Sequence, residues 1–201
     1  MDSKRVINVP FKKEQVSELK SGDYVYLTGT LYSARDAAHK RLFDSITQAE
    51  GVTGLDGKAL FDQGILPLDL TDNIFYYLGP TPAKEGQVIG SAGPTTSSRM
   101  DKYTPLLLSK GLTGMIGKGK RSKEVIEAIV VNKAVYFAAV GGAGALLSKC
   151  IKKSEVIAYD DLGTEAIRKM EVEEFPVIVV IDSEGNNLYE TAVEEYNKSK
   201  N

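Results

Sequence analysis

Three short stretches hold side chains of the types needed to grip a small organic anion. In "SAGPTTSSRMDKY" (91 to 103) a Gly-Pro is followed by four consecutive hydroxyl residues, Thr95 and Thr96 leading, and then by Arg99. Arg35, with Asp36 beside it and His39 one helical turn on, follows "LTGTLYSA", and Lys118 follows "LTGMIG" inside "GKGKRS". Guanidinium groups match carboxylates bidentately, and an ammonium adds a compact point charge. Small hydroxyl residues let a carboxylate come close to the backbone, and a helix start offers N–H donors. Each cation follows an apolar run that reads as a strand. In an open α/β sheet, ligands collect where loops leave the carboxyl ends of strands, so three such loops form a small anion-binding cluster.

The elements that position these loops are legible in outline. "YVYLTGTLY" (24 to 32) reads as a strand, and "ARDAAHKRLFDSI" (34 to 46) as a helix with Ala37, Leu42 and Ile46 in its inward stripe. Residues 47 to 72 are turn-rich and read as a long excursion, while "NIFYYLGP" and "GQVIGSAG" read as strands flanking "TPAKE". After Gly93-Pro94 a helix begins, capped by Thr95 or Thr96, and Pro105 forces a restart with Thr104 as cap. "LTGMIG", "AVYFAAV", "SEVIAY" and "FPVIVVID" read as strands, "SKEVIEAIVVNK" as a helix, and "GGAGALLSKC" as a turn into a short helix. "SEGNN" is a turn, and residues 191–201 form a polar tail. The alternation of strand and helix predicts a single α/β domain.

Composition sets the outer limits. The 201 residues are 42% hydrophobic and 26% charged, which suits one sizeable core. Lys and Arg total 25 against 27 Asp and Glu, so no basic excess points to nucleic acid or an anionic membrane surface. No apolar run approaches the roughly 18 to 20 residues of a membrane span, and "MDSKRVINVPFKK" has no signal-peptide apolar region. A cytoplasmic protein is expected. One cysteine, Cys150, excludes an intrachain disulfide framework and a thiolate-held cluster, and one histidine leaves a self-contained metal centre dependent on carboxylates.

Each feature also has a plainer explanation. "GKGK" alone is a solvated loop, and "GKGKRS" lacks the Walker spacing of a P-loop. "GGAGA" marks close packing of helix and strand. His39, on the face of Arg35, reads as a packed structural histidine, and Cys150 as an incidental thiol.

The ordered set Arg-Asp-x-x-His, Gly-Pro-Thr-Thr-x-x-Arg-Met and Gly-Lys-Gly is more specific than any of its parts. It resembles the β subunit of class I, iron-sulfur-dependent fumarate hydratase and the related L-tartrate dehydratase, over roughly residues 5 to 190. The resemblance implies a swivelling β/β/α domain over residues 1–190. It implies docking on an α subunit that holds a [4Fe-4S] cluster on three cysteines, as α2β2, with none of the cluster's ligands on this chain. It further implies hydration of fumarate to (S)-malate, Arg35, Arg99 and Lys118 binding the dicarboxylate and Thr95 transferring the proton; Asp36, His39 and Thr96 are supporting residues. Tartrate dehydration is the alternative within the family. Outside it stand a non-catalytic anion-binding or scaffolding module and a phosphate-binding protein using "GKGKRS".

Overall fold

The computed structural model describes residues 4–139 and 144–192. In chain order the elements are β1 (Val6–Val9), α1 (Lys13–Val16), β2 (Tyr24–Ser33), α2 (Asp36–Gln48), α3 (Gly57–Asp62), β3 (Ile74–Tyr76), α4 (Thr104–Ser109), β4 (Gly114–Gly117), α5 (Lys123–Asn132), β5 (Val135–Ala139), α6 (Gly144–Cys150), β6 (Ile151–Ala158) and β7 (Ile167–Ile181). Short 3₁₀ turns lie at Ser97–Met100 and Asp160–Glu165.

The sheet closes because two of its strands are long. β2 takes β1 and then β3 in parallel along one edge and runs antiparallel to β7 along the other. β7 in turn takes β6 along its first half and β5 along its second. With β3–β4 and β4–β5 parallel, the ring β2–β3–β4–β5–β7 returns to β2. The fold is α/β with a closed sheet.

Strand periodicity sorts the core into two masses. Ile74, Tyr76 and Leu78 join Leu27, Leu31, Ile116, Phe137, Val177 and Val179 in one cluster. Phe75, Tyr77, Met115 and Tyr136 face the other way, against the buried sides of α2, α4 and α5. Ser122 caps α5, its side chain accepting from the Val125 N–H. Among the described residues no helix is long and apolar enough to cross a membrane.

The strands expected at 24 to 32, 112 to 117 and 134 to 140 are present, the second only from Gly114 and the last from Val135 to Ala139; Val140 and "GGA" lie outside the described residues. Several expectations fail. "GQVIGSAG" is not a strand. It is held instead by Thr81, the Ser91 N–H donating to Thr81 Oγ1 and the Thr81 N–H to the Ser91 carbonyl, and by the start of α6, the Ala92 N–H donating to the Gly144 carbonyl. Thr95 and Thr96 do not cap an α-helix: the chain there is extended, only a 3₁₀ turn follows, and no side-chain capping bond forms. Thr104 is already inside α4, and its hydroxyl donates to the Met100 carbonyl. In α2 it is Ala38 and His39, not Ala37, that join Leu42 and Ile46 in the buried stripe. The excursion contains α3, capped by Asp56, with Leu60, Leu66, Leu68 and Leu70 all buried. β1 and the first half of β7 were not anticipated.

Candidate functional site

Because β2, β3 and β4 run parallel, their carboxyl ends leave the sheet on the same edge. Main-chain bonds stitch the loops that follow. The Ala34 N–H donates to the Tyr76 carbonyl, fixing the start of α2 against the end of β3. The Thr95 N–H donates to the Tyr77 carbonyl at 2.8 Å. Thr96 forms a bridge with Lys118, and the Ser97 N–H donates to the Lys118 carbonyl at 2.9 Å. The three stretches singled out in the sequence are therefore adjacent at the level of the backbone.

Two arginines and two carboxylates occupy the α2 side of this edge. Arg35 crosses the bare backbone of Gly79, where a Cβ would stand 2.4 Å from its Nη1. Its Nη2 lies 3.3 Å from Glu165 Oε1 and its Nε 3.8 Å from Asp36 Oδ1. Asp36 Oδ2 receives a 2.6 Å hydrogen bond from Arg99 Nη2, and Glu165 Oε2 accepts from the Ala37 N–H. Arg35 Nε and Asp36 Oδ1 are buried without a hydrogen-bond partner. Arg99, Lys102, Glu165 and the first turn of α2 line a shallow cavity of about 460 Å³. On the other side Thr95 is half-buried while Thr96 and Lys118 are exposed.

His39 supports the edge from beneath and does not line it. The ring is fully buried, edge-on to Phe75 and Tyr77, and its Nδ1–H donates to the Arg35 carbonyl at 2.8 Å. Burial pushes its pKa down to about 4, so the ring is neutral at pH 7.

A buried polar network that the sequence did not announce lies behind the loops. Arg121, with its side chain fully enclosed, donates from Nε to Asp101 Oδ1 at 2.8 Å, from Nη2 to Thr104 Oγ1 and from Nη1 to the Tyr77 hydroxyl. The second oxygen of Asp101 accepts from the Ser122 N–H. The Ser97 hydroxyl is 2.9 Å from the Tyr136 hydroxyl, which donates to the Gly119 carbonyl. Gly117 makes room for this contact: a Cβ there would stand 2.0 Å from Ser97 Oγ.

Fold and site together define a closed-sheet α/β domain with arginines, hydroxyls and carboxylates gathered on one loop edge. The chain belongs to the family described as Fumarase C-terminus, whose model matches residues 2–192. It is 38% identical over 180 residues to fumarate hydratase 2 of Leishmania major, covering 88% of this chain and 29% of that protein. With the anaerobic class I fumarate hydratase of Escherichia coli K12 it shares 38% identity over 192 residues, covering 93% and 32%. The "Putative L(+)-tartrate dehydratase subunit beta" of Methanocaldococcus jannaschii is 37% identical over 184 residues, covering 89% and 87%. The chain thus spans about a third of the fumarate hydratases' length and most of the archaeal protein's.

Proposed function

We propose that this chain is the β subunit of a class I hydro-lyase that interconverts fumarate and (S)-malate, a swivelling β/β/α domain acting on an α subunit in an α2β2 assembly. The observation that carries this reading is the stitching of the Arg35, Thr95 and Lys118 loops along one sheet edge. Dehydration of malate removes a weakly acidic proton next to a carboxylate, and the negative charge that develops needs preorganised donors. Arg35 and Arg99 clamp the two carboxylates of the substrate, and Lys118 offsets the growing charge. Arg99 already holds a carboxylate, that of Asp36, so a substrate carboxylate exchanges like for like at that guanidinium. The Arg35 guanidinium likewise already faces a carboxylate, its Nη2 3.3 Å from Glu165 Oε1.

Thr95 is the residue assigned to proton transfer. A threonine hydroxyl is a weak base, so it works only where nearby cations favour its anion or another group relays its proton. Thr96 and Asp36 shape the approach and His39 props Arg35 from below.

The family implies a [4Fe-4S] cluster, and the donors of this chain do not fit one. Among the described residues no group of three or more His, Cys, Asp and Glu could hold a metal. Cys150 ends α6, its Sγ 3.8 Å from the Leu146 and Glu174 carbonyl oxygens, and the Nδ1–H of His39 is committed to a backbone carbonyl. We therefore assign the cluster to the α subunit.

Tartrate is the second reading, favoured by the match over nearly the full length of the archaeal protein named as a tartrate dehydratase subunit. An anaerobic assay decides between them: the chain co-expressed with a cysteine-bearing partner is given malate and tartrate side by side. Malate should turn over, the activity should be lost in air, and the chain alone should be inactive. Turnover by the purified, iron-free chain overturns the division of labour.

A further inference from the structure

Tyr136, on β5, stands between two of the loops that the proposed site uses. Its hydroxyl lies 2.9 Å from the Ser97 hydroxyl and 2.8 Å from the Gly119 carbonyl oxygen. A carbonyl only accepts, so the single phenol proton goes to Gly119 and the Ser97 hydroxyl donates to the phenol oxygen. Burial raises the pKa of the phenol far above its ordinary value, which keeps that proton in place. The chain of donors has one direction, Ser97 to Tyr136 to Gly119.

Ser97 is thus tied twice to the strand end that carries Lys118. Its N–H holds the Lys118 carbonyl directly, and its hydroxyl reaches the next carbonyl through Tyr136. Thr95 lies two residues before Ser97 and Arg99 two residues after it. The phenol is itself pinned, because the Arg121 guanidinium lies 5.0 Å from its ring centroid and is locked to Asp101, Thr104 and Tyr77. The bare Gly117 leaves the space in which the Ser97 hydroxyl sits.

We propose that Tyr136 is a positioning residue: its hydroxyl, held between the Ser97 hydroxyl and the Gly119 carbonyl, fixes where Lys118 stands relative to Thr95 and Arg99. This rests on the reading of those three residues as the site. On the α2 side Arg35 is held separately, by Glu165 and by its packing across the bare backbone of Gly79. Loosening the Tyr136 bond therefore misplaces groups needed in the transition state and leaves the carboxylate clamp of Arg35 intact. Misplacement of about 1 Å costs on the order of 100-fold in rate.

The test uses Tyr136→Phe, Ser97→Ala and the double variant, each co-expressed with the cluster-bearing partner and assayed with malate. Either single variant should lower kcat about 10- to 100-fold with KM moving less than about threefold, and the double should be no worse than either single. A Tyr136→Phe enzyme within about twofold of wild-type kcat, or losses that multiply in the double variant, overturns the proposal. Hydrogen exchange in the full chain gives an activity-free readout. The Ser97 amide should exchange at least about tenfold faster in Tyr136→Phe while the amides of α2 do not change. Unchanged exchange at Ser97 overturns the clamp whatever the activity. Wild-type complex inactive on both malate and tartrate, with faster Ser97 exchange in the variant, upholds the clamp and overturns the proposed function instead.

Discussion

Arg99 and Arg121 each meet an aspartate at hydrogen-bonding distance, Asp36 at 2.6 Å and Asp101 at 2.8 Å, in opposite settings. The Arg99 side chain is 47% exposed and Asp36 31%; Arg121 is fully enclosed and Asp101 is 14% exposed. In water the Coulombic gain of such a pair is small and its partners exchange readily. Away from water, removing one partner strands a charge, so the pair behaves as a fixture. The first pair sits where a ligand carboxylate would have to compete for the arginine. The second holds the ground on which that competition takes place, tying the residue that follows β3, the start of α4 and the cap of α5 together.

The largest effect expected from this contrast is on folding. Arg121→Met leaves Asp101 Oδ1 and the Tyr77 and Thr104 hydroxyls without the guanidinium, and should cost about 3–5 kcal/mol, with thermal unfolding lowered by roughly 10 °C. A midpoint within about 3 °C of wild type would erase the distinction between the two pairs.

His39 joins the two regions and gives the next largest effect. Its Nδ1–H holds the Arg35 carbonyl on one side, and its ring meets Tyr77, the acceptor for Arg121, on the other. The folded chain resists protonating this ring until about pH 4, whereas the unfolded chain takes up the proton near pH 6.5. Its contribution is therefore complete above pH 6.5 and is lost as pH falls towards 4, amounting to about 3 kcal/mol. Urea unfolding of wild type and His39→Gln across that window checks the sign: the variant should lose most of the slope, and an equal slope would remove His39 as its cause.

The smallest change in stability falls on the open pair. Arg99→Met should shift unfolding by less than about 1 kcal/mol. In the proposed hydro-lyase the same substitution should lower kcat/KM about 100- to 1,000-fold, the loss expected for one preorganised donor. Near-normal kcat/KM would take Arg99 out of the site, and a large loss of stability would place its pair with the fixtures.

The same contrast explains how far the sequence could be read. β2, β4, β5, α2 and α5 announced themselves through their apolar pattern. β1 is four residues long, too short for a pattern. The first half of β7 reads as charged because Arg168, Lys169, Glu171 and Glu173 alternate irregularly with Ile167, Met170 and Val172. Its strand character comes from β2 and β6 on either edge, a fact about partners distant in the chain. Arg35, Thr95, Arg99 and Lys118 stood out because clustered cations and hydroxyls after strand-like runs are chemically conspicuous. Ser97, Tyr136 and Arg121 did not, because a polar group becomes structural only when its neighbours enclose it. In "TTSS" nothing separates the buried Ser97 from the exposed Ser98.

The naked backbone at Gly79 carries a consequence for how such a chain can vary. Any side chain there would occupy the space of the Arg35 guanidinium. The two positions, far apart in sequence, are therefore coupled through one small volume: whatever fills it from position 79 displaces the guanidinium from where it now stands.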